Sequence, residues 1–181
     1  MSKFKQVFRL TFTLFAICAI VAAALAGVYA VAGPVIDQRN EEKIQQAVEK
    51  VLPGGGVLLE SFPDDSGMVQ AVYASETGYA VQVAPAGFGG SIVMMVGIID
   101  NKVNAIDIIS HAETPSLGSV AAADNAKGQA FRDQFMGLSR VLRLKKDGGQ
   151  IDALTSATIT SRAVVTGVNA ALACTEALAL G

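Results

Sequence analysis

The sequence predicts an α+β protein in which a single N-terminal transmembrane helix precedes one domain, a mainly antiparallel sheet flanked by helices. Three observations support this fold class. A charge-free run of 27 residues extends from Leu10 to Ile36, and roughly 20 apolar residues are enough to cross a bilayer as a helix. Short β-rich segments follow, separated by turn residues. Helical periodicity occurs both before and after these segments.

The flanks of the charge-free run predict its orientation. Three basic residues and no acidic residue precede it: Lys3, Lys5 and Arg9. Because basic flanks stay in the cytoplasm, we expect residues 1–36 to form a cytoplasmic N-terminus and transmembrane anchor. Residues 37–56 are then a stalk helix and turn, and residues 57–181 an extracytoplasmic domain. A cleaved signal peptide is the alternative, but the run extends well beyond the small residues Ala24-Leu25-Ala26, which favours a retained anchor.

The composition argues against several classes of protein. Charged residues make up only 17% of the chain, against roughly 25% in a typical soluble domain. The 14 basic and 16 acidic residues give a net charge of −2, so there is no basic excess for binding nucleic acid. The two cysteines, Cys18 in the apolar run and Cys174 near the C-terminus, are not expected to form a disulfide.

Local patterns predict the elements that follow the anchor. Residues 37–52 carry apolar side chains at helical spacing, and Pro53 ends this helix. Five strands are predicted: Val57–Phe62, Met68–Ala74, Gly78–Ala84, Ser91–Ile99 and Val103–Ile109. Residues 77–99 contain no charge, yet Pro85 and the Gly87–Gly90 cluster would interrupt a second membrane span. Two buried strands joined by a glycine-rich turn are therefore expected there.

The C-terminal half contains a long loop between predicted elements. This loop covers Ser110–Gly128, and loops of such length in a compact domain are often functional. A short helix at Ala130–Met136 and a sixth strand at Val141–Leu144 are predicted after it. A final helix runs from about Thr160 to Leu180, with one apolar face formed by Val164, Val168, Leu172 and Ala179.

The segment from Asp152 to Ser161 is the richest in reactive groups. Within it, four hydroxyl side chains fall in six residues, after a turn and before a helix: Thr155, Ser156, Thr158 and Thr160. A helix N-terminus offers unpaired N–H groups that suit a phosphate, and a threonine there could carry that phosphate as an ester. Ordinary N-capping by one of the hydroxyls is the alternative, and spacing alone favours capping.

The same segment resembles the flavinylation motif of a family of extracytoplasmic FMN-binding domains. The family includes the G subunit of Rnf complexes and the C subunit of sodium-translocating NADH:quinone oxidoreductases. Five residues are in register with the motif: Asp152, Thr155, Ala157, Thr158 and Ser161. In the family the threonine after the alanine is joined to the FMN phosphate, which implies covalent FMN at Thr158. Ser156 stands where the family usually has glycine, and a positive φ there would strain it.

Two further segments resemble the same family. His111–Gly118 is similar to its H-x-E-T-P-G-L-G loop, again with a serine, Ser116, in place of glycine. That loop lines the isoalloxazine ring in the family, which implies flavin contacts from these residues: Glu113, Thr114, Leu117 and Gly118. Gly87–Gly90 resembles the family's glycine turn. A hydrolytic triad of His111, Glu113 and a serine is an alternative, but the sequence has no G-x-S-x-G elbow.

The resemblance implies an electron-transfer subunit of an ion-translocating ferredoxin:NAD⁺ oxidoreductase, without independent catalysis. The length of 181 residues fits the Rnf G subunit better than the longer C subunit. The implied partners are the other membrane and iron–sulfur subunits, a flavin transferase and membrane lipid. The alternatives are the C subunit, a membrane-anchored flavin-binding sensory module, and an exported structural protein without a cofactor.

Overall fold

A computed structural model describes residues 2–139 and 141–180, which divide into two compact units, Met1–Glu42 and Lys43–Gly181. The first unit is helical, and helix α1 as a whole comprises Ser2–Val51. Its large apolar side chains between Val7 and Ile36 are exposed. The Val7–Val51 part of α1 is long and apolar enough to cross a membrane. The predicted N-terminal apolar helix is thus confirmed, whereas the boundaries at residues 36 and 56 stay predictions.

The second unit contains a five-stranded antiparallel sheet whose strands follow one another in chain order. Its strands are β1 (Val57–Leu58), β2 (Val69–Ala74), β3 (Tyr79–Val83), β4 (Val93–Ile99) and β5 (Lys102–Ser110). The first five predicted strands are confirmed in position, and β1 is shorter than expected. Asp100 and Asn101 join β4 to β5, both with positive φ. This is the two-residue hairpin turn that Asp and Asn tolerate well.

Both faces of the sheet are covered within this unit. On one face, side chains of the central strands pack against helix α3 (Thr158–Leu180): Val72, Val81, Met94, Val96 and Ile98. On the other face, a smaller cluster packs against the last turns of α1: Tyr73, Ala80 and Met95 with Ala47, Val48, Val51 and Leu52. Strands buried on both faces have no solvent-facing positions for charge, which explains why Tyr79–Val83 and Val93–Ile99 contain no charged residue.

Helix α3 is also apolar enough for a membrane span, but it is part of the domain core. More than half of its most apolar window is buried inside the protein. Val164, Val168 and Leu172 face the core as predicted, whereas Ala179 is exposed. The helix begins at Thr158, two residues before the expected start, because the turn at residues 154–157 already supplies the carbonyl that Ser161 N–H binds.

Two predictions for the segment before α3 are wrong in detail. The short helix α2 comprises Ala126–Asp133 and starts earlier than expected, because the Asn125 side chain accepts hydrogen bonds from Lys127 N and Gly128 N. Val141–Leu144 is not a strand. Instead, the Asn169 carboxamide of α3 accepts from Leu142 N at 2.7 Å and donates to Leu142 O at 2.9 Å. The Asn169 side chain thereby binds the backbone N–H and C=O of Leu142, which in a sheet would bind a neighbouring strand.

Both cysteines are free thiols, Cys18 exposed on α1 and Cys174 buried on α3. Cys174 lies beside the loop that contains Asp64. Burial raises the pKa of the Cys174 thiol, and the negative charge of Asp64 adds to this effect. Partial desolvation acts to raise the pKa of Asp64 itself. Hydrogen bonds from Ser66, Val69 and Gly67 outweigh desolvation and hold that pKa below its ordinary value.

Candidate flavin site

A glycine-rich turn between β3 and β4 forms one wall of the candidate site. Gly87 N donates to Gly90 O at 2.8 Å, and Ile92 N donates to Pro85 O at 2.9 Å. These bonds close the connection tightly and turn the Phe88 side chain outward, where it is 67% exposed. A large aromatic side chain left in solvent at a tight turn is available for contact with a ligand.

The loop after β5 forms the second wall through a β-turn at Thr114–Leu117. Leu117 N donates to Thr114 O at 3.2 Å, and Ser116 has a φ of 63°. Proline at the second position and a positive φ at the third are typical of a type II turn. Ser119 supports the turn, because its hydroxyl accepts from Ser116 N at 2.9 Å.

A second turn of the same kind leads into α3. Ala157 N donates to Leu154 O at 3.1 Å, and Ser156 has a φ of 61°. The Ser161 hydroxyl holds this turn from inside, since it accepts from Leu154 N and donates to Ala157 O, each at 2.9 Å. Ser161 is fully buried. It supports the turn and does not line the site.

Both serines that replace the family's glycine therefore occupy the left-handed region. Such a conformation costs a non-glycine residue about 1–2 kcal/mol in the folded state. Glycine avoids this cost, but it loses about 0.5–1 kcal/mol of stability because its unfolded state has more conformational freedom. We expect Ser116→Gly and Ser156→Gly each to raise the free energy of unfolding by about 0.5–1 kcal/mol. Denaturant unfolding of the detergent-solubilised chain measures this. Ser110→Gly, at an exposed position without positive φ, is the control and should destabilise, and an equal loss for all three variants would contradict the prediction.

The Glu113 carboxylate connects the walls of the site. Oε1 accepts from Phe88 N at 2.8 Å and from Gly89 N at 3.2 Å, while Oε2 accepts from the Thr160 hydroxyl at 2.5 Å. Glu113 and Thr160 are both buried. His111 is exposed, and its Nδ1 accepts from the backbone N–H of Glu113 at 3.3 Å. The Glu113 carboxylate thus binds Thr160 and the glycine turn, which does not match the geometry of a hydrolytic triad.

These segments enclose a cavity of ≈ 370 Å³, within the range of small-molecule sites. Seven predicted site residues line it: Glu113, Thr114, Leu117, Gly118, Ser156, Ala157 and Thr158. Phe88, Ile159 and Thr160 also line the cavity, and they were missed as site residues in the sequence. The G-F-G-G turn was the available signal for Phe88. For Thr160 the sequence indicates only helix capping, and for Ile159 it contains no signal.

The remaining predicted residues lie elsewhere. Asp152 and Thr155 line an adjacent cavity of ≈ 360 Å³, which also contacts Leu117, Lys127 and Gln134. The exposed Asp152 carboxylate accepts from Lys145 Nζ at 2.6 Å, and its backbone N donates to Gln134 Oε1 at 2.7 Å. The site residues that the sequence groups in one motif are therefore distributed over two cavities and a buried turn.

The cavity has the chemistry that an FMN group requires. Phe88, Leu117 and Ile159 leave apolar surface exposed around it, and a flavin ring binds between apolar faces. The backbone N–H groups of Thr158 and the next two residues precede the first intrahelical bond of α3, from Ser161 N to Ala157 O. Unpaired N–H groups at the positive end of a helix dipole bind phosphate. The half-buried Thr158 lies at this end and lines the cavity.

Comparison with known proteins defines the class that this fold and cavity represent. Residues 87–173 match the family model described as an FMN-binding domain. This range contains the glycine turn, the Glu113 loop and the turn before α3. The domain is therefore a flavin-binding domain of that family.

Relatives that match nearly the whole chain identify the family more closely. The G subunit of a proton-translocating ferredoxin:NAD(+) oxidoreductase complex from Clostridium ljungdahlii is 34% identical over 92% of this chain and 90% of its own length. The G subunit of a Na(+)-translocating ferredoxin:NAD(+) oxidoreductase complex from Acetobacterium woodii is 32% identical over 91% of this chain and 89% of its own length. The G subunit of an ion-translocating oxidoreductase complex from Methanosarcina acetivorans is 29% identical over 95% of this chain and 96% of its own length. The chain belongs to the family of Rnf complex G subunits.

Proposed function

We propose that this chain is the FMN-carrying electron-transfer subunit of a membrane-bound, ion-translocating ferredoxin:NAD⁺ oxidoreductase. The observation that carries the proposal is the position of Thr158. Its side chain lines a cavity with an apolar rim, at the N-terminus of a 23-residue helix. The names of the relatives support the G-subunit role over the C subunit that the sequence left open.

The FMN is joined to Thr158 through a phosphoester. A flavin transferase would use a flavin dinucleotide as donor, because an activated phosphate is needed. Thr158 Oγ1 forms the new bond to phosphorus, the pyrophosphate bond of the donor breaks, and a nucleoside monophosphate leaves. The hydroxyl proton passes to a base on the transferase. The helix N-terminus then stabilises the negative charge that the diester keeps.

Within the site, three apolar side chains form the surface that would contact the flavin ring. Phe88, Leu117 and Ile159 provide apolar surface and exclude water from the ring. When bound, FMN accepts or donates one or two electrons and so links one-electron carriers to two-electron carriers. The covalent link keeps the flavin at a high effective concentration near partner carriers. The ferredoxin and nicotinamide sites would then lie on other subunits, and this subunit would catalyse no reaction independently.

The domain is expected on the extracytoplasmic side of the membrane. Lys3, Lys5 and Arg9 hold the N-terminus of α1 in the cytoplasm. Without those basic residues the rest of the chain has a net charge of −5. The partners are the other membrane and iron–sulfur subunits, the flavin transferase and membrane lipid.

The intact mass of the full chain tests the covalent link. The chain is expressed with and without a flavin transferase, and each product is measured in denaturant. With the transferase we expect the mass to increase by one FMN less one water, and the flavin absorbance to stay with the unfolded chain. Without the transferase we expect the unmodified mass. Unmodified chain in both preparations would contradict the covalent proposal.

A further inference from the structure

The Glu113 carboxylate accepts three hydrogen bonds from the protein itself. Two backbone N–H groups of the glycine turn bind Oε1, and the Thr160 hydroxyl binds Oε2. Glu113 is 7% exposed and Thr160 is 2% exposed. A carboxylate that is buried with three donors around it is held firmly in place. It is therefore better placed to connect protein segments than to exchange its partners for a ligand.

Two glycines make room for this carboxylate. A Cβ atom at Gly87 would overlap Glu113 Oε1, and a Cβ atom at Gly118 would overlap Glu113 Oε2. The Gly118 Cβ atom would also stand 2.5 Å from Thr160 Oγ1. Glycine at both positions thus allows the backbone to close around the Glu113–Thr160 pair.

The pair joins three segments that are distant in sequence. Phe88 is 25 residues before Glu113, and Thr160 is 47 residues after it. Phe88 contributes an aromatic ring to the cavity, and Thr160 belongs to the first turn of α3, two residues after Thr158. The distance between the aromatic wall and the phosphate end of the site therefore depends on Glu113 and Thr160.

We propose that Glu113 and Thr160 form a buried clamp that fixes the glycine turn against the first turn of α3 and so positions the flavin ring. Both are positioning residues for the flavin, and Glu113 acts through the turn and the helix rather than as a ligand of the ring. This inference rests on the proposed function for its effect on FMN. The clamp itself is a property of the chain without flavin.

Thr160→Val tests the clamp because valine keeps the shape of threonine and removes the donor. Thr160→Ser keeps the donor and is the conservative variant. Thr175→Val is the matched control, since Thr175 is a buried threonine of the same helix whose hydroxyl donates to Leu172 O at 3.0 Å. All variants are made in the full chain in detergent, with and without a flavin transferase.

Hydrogen exchange of the Phe88 and Gly89 amides is the readout that needs no flavin. In Thr160→Val we expect these amides to lose protection by about tenfold, because the carboxylate that binds them loses its partner. Thr160→Ser and Thr175→Val should keep the protection of the unchanged chain. Equal exchange at these two amides in all four proteins would overturn the clamp.

Quenching of flavin fluorescence by iodide is the second readout. In flavinylated Thr160→Val we expect a severalfold higher quenching constant, because the glycine turn is no longer fixed against α3 and the ring becomes more exposed. In Thr160→Ser and Thr175→Val we expect the quenching constant to stay unchanged. Unchanged quenching in Thr160→Val would refute the positioning role. If the unchanged chain carries no FMN by mass, the covalent link of the proposed function fails, whereas the hydrogen-exchange result still decides the clamp.

Discussion

Thr158→Ala is expected to leave the full chain without covalently bound flavin when it is expressed with a flavin transferase. The structure distinguishes Thr158 from the other hydroxyls of its segment. Ser156 also lines the cavity, but it lies in the turn before α3 and not in the helix itself. Thr160 is buried and donates to Glu113, and Ser161 is buried with both of its hydrogen bonds made inside the turn. Thr155 lines the adjacent cavity. Thr158 therefore combines access to the cavity with a position at the helix N-terminus.

Intact mass in denaturant measures the outcome, and Thr155→Ala is the matched control because it removes an exposed hydroxyl three residues away. Thr155→Ala should gain the mass of one FMN less one water, and Thr158→Ala should not. In the assembled complex, Thr158→Ala should also abolish electron flow from ferredoxin to NAD⁺. A flavin that remains attached to denatured Thr158→Ala would show that another hydroxyl accepts it.

Gly97→Ala is expected to produce a large loss of stability, because Gly97 lies on the face of the sheet that packs against the last turns of α1. Gly97 lies in β4, where a Cβ atom would overlap the Val51 carbonyl and stand 2.9 Å from Val51 Cβ. The neighbouring Asn104 Nδ2 donates to the same carbonyl at 2.9 Å. The added methyl group would meet backbone atoms of Val51, which cannot rotate away as a side chain could. We therefore expect it to force the last turn of α1 away from the sheet.

We expect the free energy of unfolding to fall by about 1–3 kcal/mol, the range for overpacking a tight core. Denaturant unfolding of the solubilised chain measures this, and limited proteolysis at Pro53–Gly56 should become faster. Gly33→Ala is the control, because a Cβ atom there meets only the Tyr29 ring at ordinary distances of 3.7 and 3.8 Å. Equal stability and equal cleavage rates for both variants would contradict the prediction.

Much of the fold is predictable because its signals are local. The charge-free run, Pro53 and the turn residues between the strands each act over a few positions, and the first five predicted strands were found. The expected strand at Val141–Leu144 failed for a non-local reason. The backbone groups of Leu142 pair with Asn169 of α3, and Leu144 forms only an isolated bridge with Ile151. No local pattern reveals the Asn169 partner.

Ser116 and Ser156, which stand where the family usually has glycine, show what the motifs could predict and what they could not. Comparison with the family's glycines indicated that Ser116 and Ser156 would be strained if their turns required positive φ. Both residues have positive φ. The motif did not indicate that Asp152 would face an adjacent cavity, where it binds Lys145.

The sequence by itself determined the N-terminal apolar helix, the antiparallel α+β class and the segments that contain the candidate site. Hydropathy and turn chemistry depend on neighbouring residues, so these features are visible in the chain. Only the tertiary structure decided how those segments meet. Glu113 binds partners 25 and 47 residues away, and such contacts exist because α3 packs against the sheet and brings its first turn to the glycine turn.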